Sequence, residues 1–151
     1  MRRLKLALIA VAVVLFVLIS ALLARAFSID GAERAAITRL VQDEAAGRSA
    51  AMESLVDGCA SSSFCRARVS SDSQLLRRTG RVLILELNPS AGFSFTSTVG
   101  TARVAWRAGT HLPVVQCVRV RRAGNLVTGL SVQLLEISAR IKSGADCPRH
   151  Y

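Results

Sequence analysis

Residues Leu6–Ala24 read LALIAVAVVLFVLISALLA, nineteen positions without a charge behind a basic cluster of Arg2, Arg3 and Lys5. A helix of that length at about 1.5 Å per residue reaches roughly 28 Å, close to the roughly 30 Å of a bilayer's hydrocarbon core. Burying it on every side as a core helix would need a larger protein than this chain of 151 residues. The segment is therefore expected to be a transmembrane anchor, with a cleaved signal peptide as the alternative. Ala24-Arg25-Ala26 offers the small-x-small spacing for cleavage after Ala26, whereas the apolar run exceeds the usual h-region of about 7–15 residues. No Cys closely follows the run, so a lipid-modified lipoprotein is not expected. The positive-inside rule keeps the basic tip in the cytoplasm. Residues 1–26 are thus read as basic tip and anchor or signal peptide, and residues 27–151 as one extracytoplasmic domain, long enough for a single core.

The net charge of +10 narrows once the N-terminal segment is set aside, because residues 27–151 keep 16 bases and 10 acids, a balance of +6. Such a surface suits an anionic envelope. Nucleic acid is not expected as a partner: the Arg residues are scattered and scarcely interleaved with aromatics, unlike a stacking platform for single strands.

Four cysteines stand at 59, 65, 117 and 147. Outside the cytoplasm they should oxidise, and four cysteines allow three connectivities. The favoured one joins Cys59 to Cys65 across a short serine loop and Cys117 to Cys147, tying a strand to the tail. A zinc site needs close ligand pairs, which these spacings do not provide, and no base stands ready to activate a catalytic thiol. Neither metal nor cofactor is expected.

From Asp30 the pattern is helical. Asp30 and Glu33 have the spacing of a capping pair, Ile37, Leu40, Val41 and Ala45 share one apolar face against Arg34, Arg39, Gln42 and Asp43, and Gly47 follows as a C′ residue. A shorter helix is expected from Ser49 through Cys59, then a serine-rich surface excursion over 60–72 and a turn of helix capped by Asp72 or Ser73. Beyond Gly80 the period changes to two. Val82–Leu87 reads as a buried strand, Asn88–Gly92 as a turn, and Phe93–Val99 as its return. Ala102, Val104 and Trp106 alternate with Arg103, Ala105 and Arg107 on a half-buried strand, and Val114–Arg121 forms another. Ala123-Gly124-Asn125 reads as a hairpin loop, which would pair Val120 with Thr128 and Val118 with Leu130. The apolar set of the last strand switches parity at Leu134-Leu135, the mark of a β-bulge.

The expected class is α+β: an N-terminal transmembrane helix followed by helices packed on a curved antiparallel sheet. The order of elements resembles the nuclear transport factor 2-like, cystatin-like superfamily, carried by Ala32–Gly47 as cone helix, Gly100–Trp106 (GTARVAW) as central strand and Val114–Ile141 with its bulge. An anchor ahead of such a domain is similar to membrane-anchored envelope proteins of actinobacteria, some associated with lipid import. The resemblance implies a cone-shaped interior that some members use for isomerase, dehydratase or cyclase chemistry with an Asp or His. This chain departs from that pattern. His111 lies in a Gly/Pro turn and His150 next to the C-terminus, and the acids sit mostly where caps and wet faces need them.

Asp57 and Asp72 are the carboxylates to inspect, and Glu86 and Trp106 the candidate cavity-lining residues. General acid–base chemistry needs a group of suitable pKa within reach of its substrate, and no pair in the sequence declares itself. The expected function is non-catalytic: a single-pass extracytoplasmic domain at the cell membrane serving as a protein-interaction or accessory envelope subunit. A lipid- or small-ligand-binding cone and a cone-type enzyme are the alternatives.

Overall fold

The computed structural model describes residues 2–90, 97–125 and 129–148, except for the side chains of residues 2–8, 25–29, 125, 129 and 130. Helix α1, Arg2–Ala45, is continuous. Asp30 is therefore no N-cap, and the helix passes the expected boundary at residue 26 without a break; once the apolar run is helical, the next turns continue its hydrogen-bond ladder at no new nucleation cost. Gly31 inside it weakens but does not end it. The helix stops where expected, at Gly47 with φ of +72°, whose neighbour Arg48 donates its backbone N–H to the Asp43 carbonyl at 2.9 Å.

The described side chains of the opening run, Ile9 through Ala24, are all exposed. Among the described residues no helix is long and apolar enough to cross a membrane, so the expected span is not established by the fold. The side chains of Leu6, Ala7 and Leu8 lie outside the description, and the remaining sixteen residues reach about 24 Å, short of the roughly 20 residues a span requires.

Helix α2, Ser49–Leu55, is shorter than expected, and a 3-10 turn takes Cys59–Ser61. The serine-rich stretch is not a surface excursion but helix α3, Ser63–Leu75, with Ser62 as its N-cap: its hydroxyl accepts from the Cys65 N–H. Serines favour loops and helix caps for the same reason, a hydroxyl that bonds the nearby backbone, and here one of them caps the helix while others ride on it. Asp72 thus lies inside a helix rather than at its start.

Strands β1 (Val82–Asn88), β2 (Ser97–Ala108), β3 (Val114–Asn125) and β4 (Gly129–Ile137) form one antiparallel meander in sequence order. The class is α+β. The long strand β2 incorporates Gly100 and the central strand expected from GTARVAW, while the end of the expected turn and Phe93 to Thr96 of its return lie outside the described residues. β1 is an edge strand, not a buried one, with Leu83 40% and Leu85 50% exposed. β3 continues through the expected loop at Ala123–Asn125, so Val120 faces Leu134 and Val118 faces Ile137; Thr128, the partner expected for Val120, lies outside the described residues. Gly124 sits in the strand with positive φ and faces Leu130 instead of turning the chain. The bulge falls where the parity switch put it: Arg119 opposes Glu136 and Val120 opposes Leu134, leaving Leu135 as the extra residue.

Helix α1 packs against all four strands. Its buried residues Ile37, Leu40, Val41 and Ala45 meet Ala102, Val104 and Trp106 of β2 and Val118 and Val120 of β3 in one core, with Met52 and Val69 from α2 and α3. Where α3 hands the chain to β1, Gly80 (φ +101°) abuts Gly109; a Cβ on Gly80 would stand 2.9 Å from the Gly109 Cα, so backbone meets backbone there. The sulfur pairs are those expected, Cys59–Cys65 with a Cα separation of 5.2 Å and Cys117–Cys147 with 5.7 Å, both within the usual disulfide range.

Candidate functional site

The core face of α1 is not purely apolar. Glu33 and Glu44 are eleven residues apart, three helical turns, so they project from the same side as Ile37, Leu40 and Val41; both are fully buried. A carboxyl group in that position must be paired or neutral. The two meet that demand differently.

Glu33 is clamped from two sides. Its Oε1 accepts the backbone N–H of Ser90 at 2.7 Å, and its Oε2 accepts the Ser90 hydroxyl at 2.9 Å and Arg122 Nε at 2.6 Å. Arg122 also donates to Asp30 Oδ1 at 2.7 Å. The pair expected to cap a helix instead joins the middle of α1 to β3 and to the residues following β1.

Glu44 has one neutral partner. Gln116 Nε2 donates to its Oε1 at 2.7 Å, and the same amide's Oε1 accepts Trp106 Nε1 at 2.9 Å, a chain of three fully buried side chains across β2, β3 and α1. Glu44 Oε2 is buried with no hydrogen-bond partner. Desolvation raises its pKa from 4.5 to about 8 against the lowering effect of Gln116, and the nearby Asp72 carboxyl raises it further. Asp72, 3% exposed on α3, also leaves one oxygen, Oδ2, buried and unpartnered. Burial pushes its pKa from 3.8 to about 6, with Arg68 pulling the other way. The arrangement is a pair of buried carboxyl groups whose surroundings favour the protonated form, Glu44 more strongly than Asp72. Chemically it could store or release a proton, but Trp106 and Gln116 occupy one side of it and neither acid lines the cavity of about 180 Å³ beside Arg68.

That smaller cavity lies against the first disulfide, with Cys59, Cys65, Phe64 and Arg68 on one wall and Leu135 and Ile137 on the other. Arg68 stands 6.0 Å from the Phe64 ring centroid. Asp57 is at its rim, half exposed and 3.8 Å from Arg121. A second cavity, of about 470 Å³, opens between the β2–β3 turn and the C-terminal tail.

The residues singled out from the sequence disperse in this geometry. Glu86 faces water, 3.8 Å from Arg103 and bonded by Asn88 at 2.9 Å; the register shift at Leu85 turns it away from the core. Trp106 is a core residue, fully buried on the Gln116 amide. His111 is exposed in its turn, and His150 lies outside the described residues. Of Asp57, Asp72, Glu86 and Trp106, Asp72 alone contributes a carboxyl group to the buried cluster. The acids are not confined to caps and wet faces: Glu33, Asp43, Glu44 and Asp72 are all buried, Asp43 being held by Arg48 at 2.5 Å. Sequence reasoning passed over Glu33, Glu44 and Gln116 as interior groups, although the eleven-residue spacing of the two glutamates about Ile37, Leu40 and Val41 was a visible signal. Among the described residues, no three His, Cys, Asp or Glu side chains are grouped as a metal site would need.

The chain matches no protein-family model, no curated protein and no solved structure.

Proposed function

We propose that this chain is a membrane-anchored envelope domain that works by binding a protein partner rather than by catalysis. The observation that carries the reading is the exposure of the opening helix on every side. Val13, Val14, Leu15, Phe16, Val17 and Leu18 are consecutive and each between 53% and 71% exposed; at 100° per residue they face all directions, so packing on the domain could cover only a minority of them. With Leu6, Ala7 and Leu8 added from the sequence, the apolar run is nineteen residues, near the length of a bilayer span. Two closed cysteine pairs in a small domain fit an oxidising space beyond the membrane.

The likeness to nuclear transport factor 2-like domains belongs to the same proposal, supported by α1 packing on an antiparallel meander with a bulge at Leu135. An enzymatic reading would draw on Glu44 and Asp72, but a general acid has to touch its substrate, and these groups are enclosed by core side chains. Fractionation of cells tests the anchor: the protein should stay with membranes through high salt and alkaline washing. Release into the soluble fraction, or into the medium after cleavage following Ala26, overturns it. A C-terminal fusion of an export-dependent reporter should be active, and the four cysteines should resist alkylation until reduced. Cross-linking on intact membranes should then trap a protein partner through residues 27–151, and a chain that yields no cross-linked protein overturns the binding role.

A further inference from the structure

Leu112 and Pro113 of the β2–β3 turn and Arg140 to Ser143 of the tail line the cavity of about 470 Å³, a size within the range of about 300–1,000 Å³ typical of small-molecule sites. The tail is a fixed wall. Ile141 donates its N–H to the Val115 carbonyl at 2.8 Å, Arg103 donates to the Ser143 carbonyl, and Cys147 is bonded to Cys117 of β3. Leu112, Pro113, Val115 and Ile141 give the cavity its apolar lining, and Leu112 projects into water with 78% of its surface exposed. Arg140 and Lys142 supply its charge. Among the described residues none of the lining side chains is acidic.

We infer that this cavity binds a small amphiphile with an apolar body and a single anionic headgroup, the body on Leu112, Val115 and Ile141 and the headgroup between Arg140 and Lys142. Charge selects the ligand class: two cations beside an apolar floor favour a carboxylate or phosphate ester over a neutral or cationic chain. Position says how the ligand arrives. The Glu33 clamp marks the end of the sheet near the apolar run of α1, whereas Ala45, which accepts the Arg78 N–H, and the Gly80–Gly109 approach mark the other end. Ala45 stands about 18 Å farther along α1 than Glu33, and the cavity belongs to the turn at that end, so the ligand proposed is a soluble amphiphile rather than one drawn from beside the apolar run.

Lys142 is the only lysine besides Lys5, which makes the site readable in the full chain. With the protein in phospholipid nanodiscs, the rate of Lys142 acetylation is followed by mass spectrometry, Lys5 serving as internal reference, while octanoate, octyl phosphate, octylammonium or acetate is titrated below micellar concentration. Octanoate or octyl phosphate should slow Lys142 saturably and leave Lys5 unchanged, and the better protector identifies the headgroup as carboxylate or phosphate. Arg140→Gln should raise the half-saturating concentration roughly fivefold, and Leu112→Asp should remove protection while leaving the far-ultraviolet circular dichroism as in the parent. Equal protection by acetate would mean an adventitious anion only and would overturn the inference. So would equal protection by octylammonium, or no protection by either anionic chain.

Discussion

Glu33 and Glu44 are the same residue type on the same face of the same helix, and both are sealed from water, yet their surroundings differ. Glu33 meets a guanidinium, a hydroxyl and a backbone N–H; Glu44 meets one amide and leaves an oxygen bare. The first end of the sheet thus carries a buried ion pair, and the second a carboxyl group whose burial favours its protonated form. The difference lies in what the strands present opposite each glutamate, Arg122 near the end of β3 and Gln116 near its beginning. A buried ion pair fixes register by the penalty for losing one partner, whereas a buried neutral acid couples the fold to pH.

The comparison breaks most sharply if one partner of the ion pair is removed. Arg122→Ala strands Glu33 in the core and should cost about 3–5 kcal/mol in urea unfolding, and Glu33→Gln should also destabilise. Next comes the covalent fastening: replacing both Cys117 and Cys147 by Ser removes the bridge that holds the tail beside the Gln116 end and should cost about 2–4 kcal/mol, seen as a lower midpoint in urea unfolding.

The pH dependence then separates the two glutamates. Because Glu44 and Asp72 have raised pKa values when folded, the folded state binds more protons than the unfolded one, so stability falls as pH rises. The contribution of Glu44 is fully present below 4.5 and lost by about 8; that of Asp72 is present below 3.8 and lost by about 6. The decline should be steepest between pH 4.5 and 6, where both act, at up to about 1.4 kcal/mol per pH unit for each proton. Glu44→Gln should flatten the limb above pH 6, and a parent protein whose midpoint is constant from about pH 5 to 8 would refute the raised pKa values. The smallest effect belongs to the outer face of the sheet, where Glu136→Ala breaks an exposed pair with Arg119 at 3.5 Å and should change stability by about 0–1 kcal/mol.

Local chemistry accounts for what could be read in advance. The apolar face of α1 at Ile37, Leu40 and Val41, the positive φ at Gly47, the alternation at Ala102, Val104 and Trp106, the bulge at Leu135 and both cysteine pairs are short-range patterns or one-step consequences of spacing. Each depends on residues within a few positions, or on a choice among three pairings. The same local rules erred where a pattern had two physical uses. Asp30 and Glu33 have capping spacing but bind Arg122 and Ser90, and the serines before Asp72 resemble a loop but cap and coat a helix.

By itself, then, the chain determined its class, its apolar leading segment, its disulfides and the period of every element but α3, because helix and strand periodicity are properties of neighbouring residues. Only the tertiary structure decided that β3 runs past Gly124, that Glu33 finds a cation while Glu44 finds an amide, and that the tail closes a basic cavity over Val115. The contacts of Asp30, Glu33 and Glu44 join residues 57 to 92 positions apart at 2.6–2.9 Å, and no local pattern encodes which distant side chain will stand opposite a buried charge.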